Sequence, residues 1–201
     1  MREFIYYSSK ARTSGNWGDD LMKAGRMDIA CQIVIMSFFI SNNIRNNVKL
    51  HLSFNGAPDP PKHLEMIPSM SLGDIENRID ISKKDVAGLI RRMLYKFREG
   101  RKTEAFPGYF IEKKSILNII QEMEKEGRNI YLLDKKGEDV RAAEIGENPI
   151  FILGDHEGIP KQDLKRMKKM NIKLISVGKT MYFASQTLTI VQNELDRREI
   201  N

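Results

Sequence analysis

Three segments of the chain place small or polar residues directly behind short apolar runs. They are Leu132-Leu133-Asp134, Gly154-Asp155-His156-Glu157-Gly158 and Ser176-Val177-Gly178-Lys179. In parallel α/β sheets, ligands bind beyond the carboxyl ends of the strands. A glycine such as Gly154 also lets the backbone approach a ligand closely, because it has no Cβ. A single loop of this kind is more often a plain strand-to-helix turn, but three in series predict a ligand site.

Several other kinds of site find no support in the sequence. There is no G-x-G-x-x-G and no P-loop pattern, so neither a dinucleotide-binding fold nor an NTPase is indicated. The glycine-rich first loop of the commoner methyltransferase architecture is also missing. His51, His63, His156 and Cys31 have no recognisable metal-ligand spacing, so we expect no metal. Cys31 lies in an apolar segment, which favours a small buried hydrophobe over a nucleophile.

Length and composition limit the class of protein. The 201 residues, 41% hydrophobic and 30% charged, predict a single globular domain over residues 1–201. One cysteine rules out an internal disulfide and favours a reducing, cytoplasmic location. The apolar stretch Ile33 to Ile40 is too short to span a bilayer, and no signal peptide is indicated, so we expect no membrane partner. The net charge of +6 favours a polyanionic partner, although many basic proteins bind no nucleic acid.

The first half of the chain predicts the elements that precede these loops. Val48–Phe54 alternates apolar and polar residues as a half-buried strand does, and Met1–Tyr7 and Lys62–Ile67 are also predicted to be strands. Ser8–Met27 is polar and aperiodic, which is typical of a loop, and Asp28–Ile44 is predicted to be a mostly buried helix.

A second helix is predicted to begin at Ser82, a good N-cap with Asp85 in the capping-box position. An apolar stripe then continues towards Gly100, which is predicted to end the helix. The opposite face carries four basic residues: Arg91, Arg92, Lys96 and Arg98. A solvated face is the commoner reason for such a pattern, and an RNA-facing surface is the alternative. Arg101–Phe106 is predicted to be a mobile connection.

Beyond Phe106 strands and helices alternate along the chain. The predicted strands are Tyr109–Ile111, Asn129–Leu133, Pro149–Leu153 and Ile172–Val177. The helices between and after them are capped by Ser115, entered through Pro160, and run from Ala184 to Arg198. This alternation predicts an α/β fold with a mainly parallel sheet covered by helices on both faces.

Three runs within this second half resemble the archaeal tRNA pseudouridine-54 N1-methyltransferase family. They are Asn129–Leu133, Gly137–Val140 and Glu147–Gly158. The block from Asn148-Pro149 to Gly154-Asp155-His156-Glu157-Gly158 is the most specific part of the match. Met1–Ile5, Gly25–Asp28 and Pro60-Pro61 also match, so the resemblance covers nearly the whole chain, most loosely from Asn77 to Tyr109.

The resemblance implies a SPOUT fold, in which the C-terminal part of a mainly parallel sheet threads a loop into a trefoil knot. Periodicity alone would not predict a knot. It also implies that S-adenosylmethionine binds in the knot, held largely by backbone groups of three loops that correspond to the three segments above. The implied cofactor contacts are Leu133, Gly154, Val177, Gly178, Lys179, Thr180, Met181, Tyr182 and Thr187. Thr187 stands where many members carry cysteine, and its hydroxyl can replace the thiol as a contact.

The implied activity is N1-methylation of pseudouridine 54 in tRNA by a homodimer. We expect Asp28 to act as the base and Arg26 to bind the substrate, because both belong to the matching Gly25-Arg26-Met27-Asp28 element. The alternative for Asp28 is a helix cap. The final helix, with Leu188, Val191 and Leu195, is either the dimer surface or part of its own subunit's core.

Two alternative functions remain open at the level of sequence. The ribosomal RNA pseudouridine N1-methyltransferases share the Gly-Arg-x-Asp element. A non-catalytic RNA-binding module is the second alternative, supported by Gly15-Asn16-Trp17-Gly18, a GxxG loop like that of KH domains. That loop lacks the basic residues expected between its glycines, and Trp17 either stacks on a base or covers a hydrophobic patch.

Overall fold

The computed structural model describes residues 1–41, 43–67 and 82–200. Residues 77–81, the start of the loosely matching region, therefore lie outside the described residues. The elements in chain order are β1 (Arg2–Ser8), α1 (Met27–Phe38), β2 (Phe39–Ile40), β3 (Asn43–Ile44), β4 (Val48–Phe54), β5 (Lys62–Met66), α2 (Lys83–Tyr95), β6 (Thr103–Phe106), β7 (Tyr109–Glu112), α3 (Ile116–Lys125), β8 (Ile130–Asp139), β9 (Ile150–Gly154), α4 (Lys161–Met167), β10 (Ile172–Ser176) and α5 (Ala184–Arg197).

Eight of these strands form one mixed sheet in the order β10-β8-β9-β1-β4-β5-β7-β6. The neighbours from β10 to β4 are parallel, and those from β4 to β6 are antiparallel. The predicted mainly parallel sheet is confirmed, with an antiparallel extension at one edge. Because β10, β8, β9 and β1 run the same way, their carboxyl ends meet at one edge of the sheet.

Helices pack on both faces of the sheet. Phe4 and Tyr6 of β1 belong to the larger apolar cluster, which also includes buried residues of α1, α2 and α5. Ile5 and Tyr7 point to the opposite face and join the cluster that contains α3 and the end of α4. The alternation of side chains along β1 thus divides the core into two layers. None of the described helices has the length and apolar character required to cross a membrane.

Two predicted elements of the first half were wrong in part. The helix predicted over Asp28–Ile44 ends at Phe38, and the rest pairs as the short antiparallel strands β2 and β3. Arg101–Phe106 is not merely a connection, because Thr103–Phe106 forms β6 and pairs with β7 across a turn at Pro107-Gly108. Gly108 has a φ of 80°, a left-handed value that glycine adopts readily.

The start of α2 agrees with the predicted capping box. The Ser82 hydroxyl accepts from the Asp85 backbone N–H at 3.2 Å, and the Asp85 carboxylate accepts from the Ser82 N–H at 3.1 Å. The helix ends at Tyr95, earlier than Gly100.

The predicted strand Asn129–Leu133 is longer than expected. Leu132 pairs with Leu174 of β10, and the next pair along the two strands is Glu138 with Ile175, so the intervening residues bulge out. Gly137 permits this rejoining, because a Cβ there would lie 2.4 Å from the Ile175 backbone nitrogen. The bulge carries Leu133 and Asp134 at the carboxyl edge of the sheet.

Candidate active site

Two of the three predicted ligand loops, after β8 and β9, line a cavity of ≈ 730 Å³ at the carboxyl edge of the sheet, together with residues 181–185 that follow the third loop. Its wall includes five of the predicted cofactor contacts: Leu133, Gly154, Met181, Tyr182 and Thr187. An adjoining cavity of ≈ 80 Å³ is lined by Val177, Gly178 and Thr180 as well. Lys179 lines neither cavity. The larger volume is in the range typical of small-molecule sites.

Gly154 ends β9 in a loop that folds back on itself. A Cβ at this position would lie 2.9 Å from the backbone of Gly158 and 3.0 Å from the Ile159 nitrogen. The glycine is therefore required by the loop's own close packing, since backbone atoms cannot yield as a flexible side chain can. Gly158 supports the same turn with a φ of 75°.

Asp155 fixes this loop to the end of β1. One of its carboxylate oxygens accepts hydrogen bonds from the Ser9 backbone N–H at 2.8 Å and the Ser9 hydroxyl at 2.9 Å. The other accepts from the Glu157 N–H at 2.9 Å, and Asp155 is only 9% exposed. The sequence pattern placed Asp155 in the loop but did not predict this anchoring role, because it depends on β1 lying beside β9.

The third loop leaves β10 through a compact turn. The Ser176 hydroxyl accepts from the Gly178 N–H at 3.0 Å and lies 3.1 Å from the Gly178 carbonyl, to which it donates. Gly178 has a φ of 115°, a conformation that L-residues rarely adopt. The turn directs residues 180–182 towards the cavities.

Arg26 and Asp28 lie on the wall of the larger cavity and bind each other. The Arg26 Nε is 2.9 Å from Asp28 Oδ1, and Nη2 is 3.0 Å from Oδ2, a bidentate pair. Hydrogen bonds from Arg26 lower the pKa of the Asp28 carboxyl below its ordinary value, so Asp28 is ionised at neutral pH. The N-terminus of α1 has no side-chain cap, so the cap predicted as the alternative role of Asp28 is not observed.

The backbone before α1 is unusual. Arg26 has a φ of 61° and a ψ of 39°, the left-handed conformation that costs a non-glycine residue about 1 kcal/mol or more. Gly25, with a φ of 71°, precedes it, and a Cβ there would lie 1.7 Å from the Lys10 carbonyl oxygen. Such strain is concentrated at functional sites in proteins. Here it turns the Arg26 side chain back over the first turn of α1.

Two further polar residues lie on the cavity wall and were not predicted from the sequence. Gln32 lies four residues after Asp28, so helical spacing places both on one face of α1, a signal that was available in the sequence. Lys83, the first residue of α2, reaches the same wall because α2 packs on α1. No local sequence pattern predicts that packing.

Two of the histidines lie side by side in the fold, although their spacing in the sequence showed no recognisable pattern. His51 Nδ1 on β4 is 2.9 Å from His63 Nε2 on β5. His51 Nε2 meets Glu3 at 2.8 Å, and His63 Nδ1 meets Glu112 at 3.1 Å. With Glu65 the two histidines form a buried group whose possible metal-ligand atoms lie within 4.8 Å of one another.

That group is linked by hydrogen bonds and ion pairs among protein atoms. Glu65 binds Lys102 at 2.8 Å and Lys49 at 3.2 Å, so its carboxylate is already neutralised. The nitrogen–nitrogen distance of 2.9 Å between His51 and His63 suits a hydrogen bond. The arrangement is therefore a polar network joining β1, β4, β5 and β7.

Trp17 of the GxxG loop is half-buried and packs against the larger apolar cluster. The Arg91 guanidinium lies 5.2 Å from the centre of its ring and donates to the Trp17 carbonyl at 3.0 Å. The indole thus covers a hydrophobic patch and is itself covered by a cation, which favours that role over stacking on a base.

Comparison with solved structures identifies the fold. The chain is similar to Nep1 of Archaeoglobus fulgidus bound to S-adenosylhomocysteine, with a TM-score of 0.63, 13% identity and 98% of each chain covered. It is also similar to a protein from Porphyromonas gingivalis described as "a putative RNA methyltransferase of the TrmH family", with a TM-score of 0.53, 11% identity, and coverage of 98% of this chain and 60% of the other. The fold is that of the SPOUT methyltransferases, as predicted.

The family follows from sequence. Residues 1–200 match the family model described as "Putative SAM-dependent RNA methyltransferase", and the chain belongs to that family of enzymes, whose cofactor is S-adenosylmethionine. A tRNA (pseudouridine(54)-N(1))-methyltransferase of Methanocaldococcus jannaschii is 34% identical, covering 100% of this chain and 98% of the relative. The enzyme of the same name from Methanococcus aeolicus is 32% identical, with 100% of both chains covered. The resemblance described from the sequence is confirmed.

Proposed function

We propose that this enzyme transfers a methyl group from S-adenosylmethionine to N1 of pseudouridine at position 54 of tRNA. The observation that carries the proposal is the placing of Arg26 and Asp28 on the wall of the cavity that the loops after β8 and β9 line. Full-length relatives of that name, at 34% and 32% identity, support the choice of RNA position.

The residues around the cavity fit the cofactor. Leu133, Met181 and Tyr182 offer apolar surface for an adenine, whose edge can pair with backbone N–H and C=O groups of the three loops. We propose contacts from Gly154, Val177, Gly178, Thr180 and Thr187 as well, with the Thr187 hydroxyl in the role that the family resemblance gives to a cysteine thiol. Lys179 lines neither cavity, so its proposed contact rests on the family resemblance alone. Bound S-adenosylmethionine supplies the methyl group.

The acceptor side of the cavity belongs to α1. N1 of pseudouridine loses its proton when it gains the methyl group, so an acceptor near N1 aids the reaction. Each oxygen of the Asp28 carboxylate retains a lone pair beyond its bond to Arg26 and can accept from N1–H. Arg26 holds the carboxylate in position and directs its remaining donors at a carbonyl or phosphate of the substrate.

We further propose one knotted domain over residues 1–201, acting in the cytoplasm as a homodimer. The apolar stripe of α5 is part of the core and is not the dimer surface, because Leu188, Val191 and Leu195 are fully buried in their own subunit. The adjoining segment is a better surface, because Met181 and Phe183 are 78% and 77% exposed beside the cavity. A partner subunit seated there would complete one wall of the site.

Ribosomal RNA is the second candidate substrate, because the Gly25-Arg26-Met27-Asp28 element also resembles that of the ribosomal RNA pseudouridine N1-methyltransferases. Methyl transfer to a tRNA transcript and to ribosomal RNA fragments, each carrying pseudouridine, separates the two. We expect the tRNA to be methylated at least about tenfold faster at equal concentration. Faster methylation of a ribosomal fragment would assign the enzyme to the other substrate.

A further inference from the structure

The solvent-facing side of α2 has a composition that its own packing does not require. Val86, Ile90 and Met93 are buried against the sheet and α1, while the other side is open. We call that side the outward stripe of α2. Helical spacing places on it Lys84, Gly88, Arg92, Tyr95 and Lys96, together with Asp85, whose carboxylate accepts from the N–H and hydroxyl of Ser82. The Tyr95 ring packs against Gly15 at one edge and is still 61% exposed.

Two cations of the outward stripe are held in place without being neutralised. Arg92 and Lys96 both lie over the ring of Phe106, at 5.4 and 5.3 Å from its centre. Within residues 1–41, 43–67 and 82–200, neither forms an ion pair with a carboxylate, whereas Arg141 binds Asp139 at 2.7 Å. An aromatic ring positions a cation but leaves its charge available to an anion.

Gly88 is the least expected residue of the stripe. A glycine inside a helix costs about 0.5–1 kcal/mol relative to alanine. Its φ is not in the left-handed region, and a Cβ would meet no described atom within 4 Å. Neither a turn nor the packing of the described chain therefore needs this glycine. A missing Cβ on an open helix face allows another molecule's backbone to come close.

The N-terminal end of α2 lies at the cavity. Lys83, the first residue of α2, lines the cavity wall, and α2 packs on α1, which begins beside Arg26 and carries Asp28 in its first turn. The outward stripe starts one residue after Lys83, and at 1.5 Å per residue it extends about 18 Å from Lys84 to Lys96. This length matches a run of several nucleotides leading away from the reacting base.

We propose that the outward stripe of α2 docks the RNA phosphate backbone that adjoins the nucleotide in the cavity, with one phosphodiester lying against Gly88 between Lys84 and Arg92. Tyr95 offers a face for an unpaired base, since stacking on aromatic side chains is a common mode of RNA binding. The proposal rests on the proposed function only in taking RNA as the substrate.

The sharpest test places a charge at Gly88. Gly88→Glu and Gly88→Gln add side chains of nearly equal size into open space, and Gly88→Ala adds a methyl group. All three should raise the unfolding midpoint or leave it unchanged, because each residue favours helix more than glycine does. We expect the dissociation constant for a tRNA transcript to rise about threefold for alanine and at least tenfold for glutamate, with glutamine between them. Wild-type RNA affinity in Gly88→Glu would overturn the proposal.

A second pair of variants tests the cations. Arg92→Gln combined with Lys96→Gln should weaken RNA binding about tenfold and reduce the slope of log K against log salt by roughly 1.4, at about 0.7 for each phosphate that is no longer neutralised. The control, Lys168→Gln with Lys169→Gln, removes two exposed lysines after α4, on the other face of the sheet. An equal weakening in both pairs would mean that net charge, and not the outward stripe, binds RNA.

Two readouts separate failure of this proposal from failure of the proposed function. RNA affinity is measured on transcripts without pseudouridine, so it needs no methyl transfer. S-adenosylmethionine affinity and the turnover number at saturating RNA should stay within twofold of wild type in every variant. If the wild-type enzyme binds RNA through the outward stripe but leaves pseudouridine unmodified, the docking proposal stands and the proposed function is wrong.

Discussion

Gly154 and the Arg26–Asp28 pair are the residues on which the site depends most, and the sequence singled out all three. What sequence could not provide was the reason each matters. Gly154 was expected to allow close approach of a ligand, but its missing Cβ is needed by the backbone of Gly158. Asp28 was predicted to be a base or a cap, and neither prediction included the bidentate bond of its carboxylate to Arg26. Such reasons lie in contacts between segments that a linear pattern does not contain.

Replacing Gly154 should destroy the cofactor loop without unfolding the protein. In Gly154→Val, the new side chain forces the Gly158 backbone to move by several tenths of an ångström or more, which displaces the loop from the cavity. We expect at least a tenfold loss of S-adenosylmethionine affinity by calorimetry, with a nearly unchanged circular dichroism spectrum. Gly18→Ala is the matched control, because a Cβ at Gly18 meets no described atom within 4 Å. Wild-type affinity in Gly154→Val would remove this loop from the site.

Asp28→Asn tests the acceptor side of the cavity. The amide keeps the size of the carboxylate but loses the charge that accepts N1–H and binds Arg26. We expect the turnover number to fall at least about tenfold, while S-adenosylmethionine affinity stays within twofold. Because Arg26 lowers the pKa of Asp28, wild-type activity should not depend on the ionisation of this carboxyl between pH 6 and 8. Equal rates for the Asp28→Asn variant and the wild-type enzyme across that range would make the pair structural.

At the scale of elements, the buried network of His51 and His63 links four strands where the sheet turns from parallel to antiparallel. The two rings meet at 2.9 Å between His51 Nδ1 and His63 Nε2, and their outer nitrogens reach Glu3 at 2.8 Å and Glu112 at 3.1 Å. The pattern of β4 and β5 predicted both strands, but not their register, which decides that the two rings meet.

This network predicts how stability depends on pH. Burial lowers the pKa of His63 to about 4, below its ordinary value near 6.5. As pH falls, the unfolded chain therefore binds this proton at a higher pH than the folded protein does. The free energy of unfolding should therefore fall as pH drops from 6.5 to 4, by about 3 kcal/mol at 1.36 kcal/mol per pKa unit. Hydrogen bonds from the network hold the pKa values of Glu3 and Glu112 at about 2 despite burial, so further stability is lost below pH 5.

Urea denaturation at pH 7.5, 6.0 and 5.0 measures the effect. His63→Gln serves as the control, because it removes the titrating ring and should flatten the change between pH 7.5 and 5.0. An equally steep fall in that variant would place the titration elsewhere.

The elements with strong local signals were predicted correctly, whereas those whose structure depends on pairing with another strand were not. The capping box at Ser82 and the strand Val48–Phe54 were predicted from their own residues. β6 was missed because its pairing with β7 depends on the turn at Pro107-Gly108, and the bulge of β8 was missed because it depends on β10. The knot has no local signal at all, and its prediction came only from the family resemblance.

At the scale of the whole molecule, exposed apolar residues beside the cavity predict that the protein forms a homodimer. Met181 and Phe183 are mostly exposed and flank Tyr182, an arrangement that suits burial in a homodimer. Sedimentation at micromolar concentration should give a species of about twice the chain mass of 23.2 kDa. Phe183→Asp should shift it to the monomer, whereas Tyr95→Asp, on the outward stripe of α2, should not. A wild-type monomer at micromolar concentration would contradict the dimer.

The most direct test of the proposed reaction is the chemical identity of the product. Two tRNA transcripts that differ only in having pseudouridine or uridine at position 54 are incubated with the enzyme and S-adenosylmethionine, and their nucleosides are separated by mass spectrometry. We predict N1-methylpseudouridine from the first transcript and no methylated nucleoside from the second, since uridine has no free N1–H. Methylation of the uridine transcript, or a methyl group on a ribose oxygen, would contradict the proposed reaction.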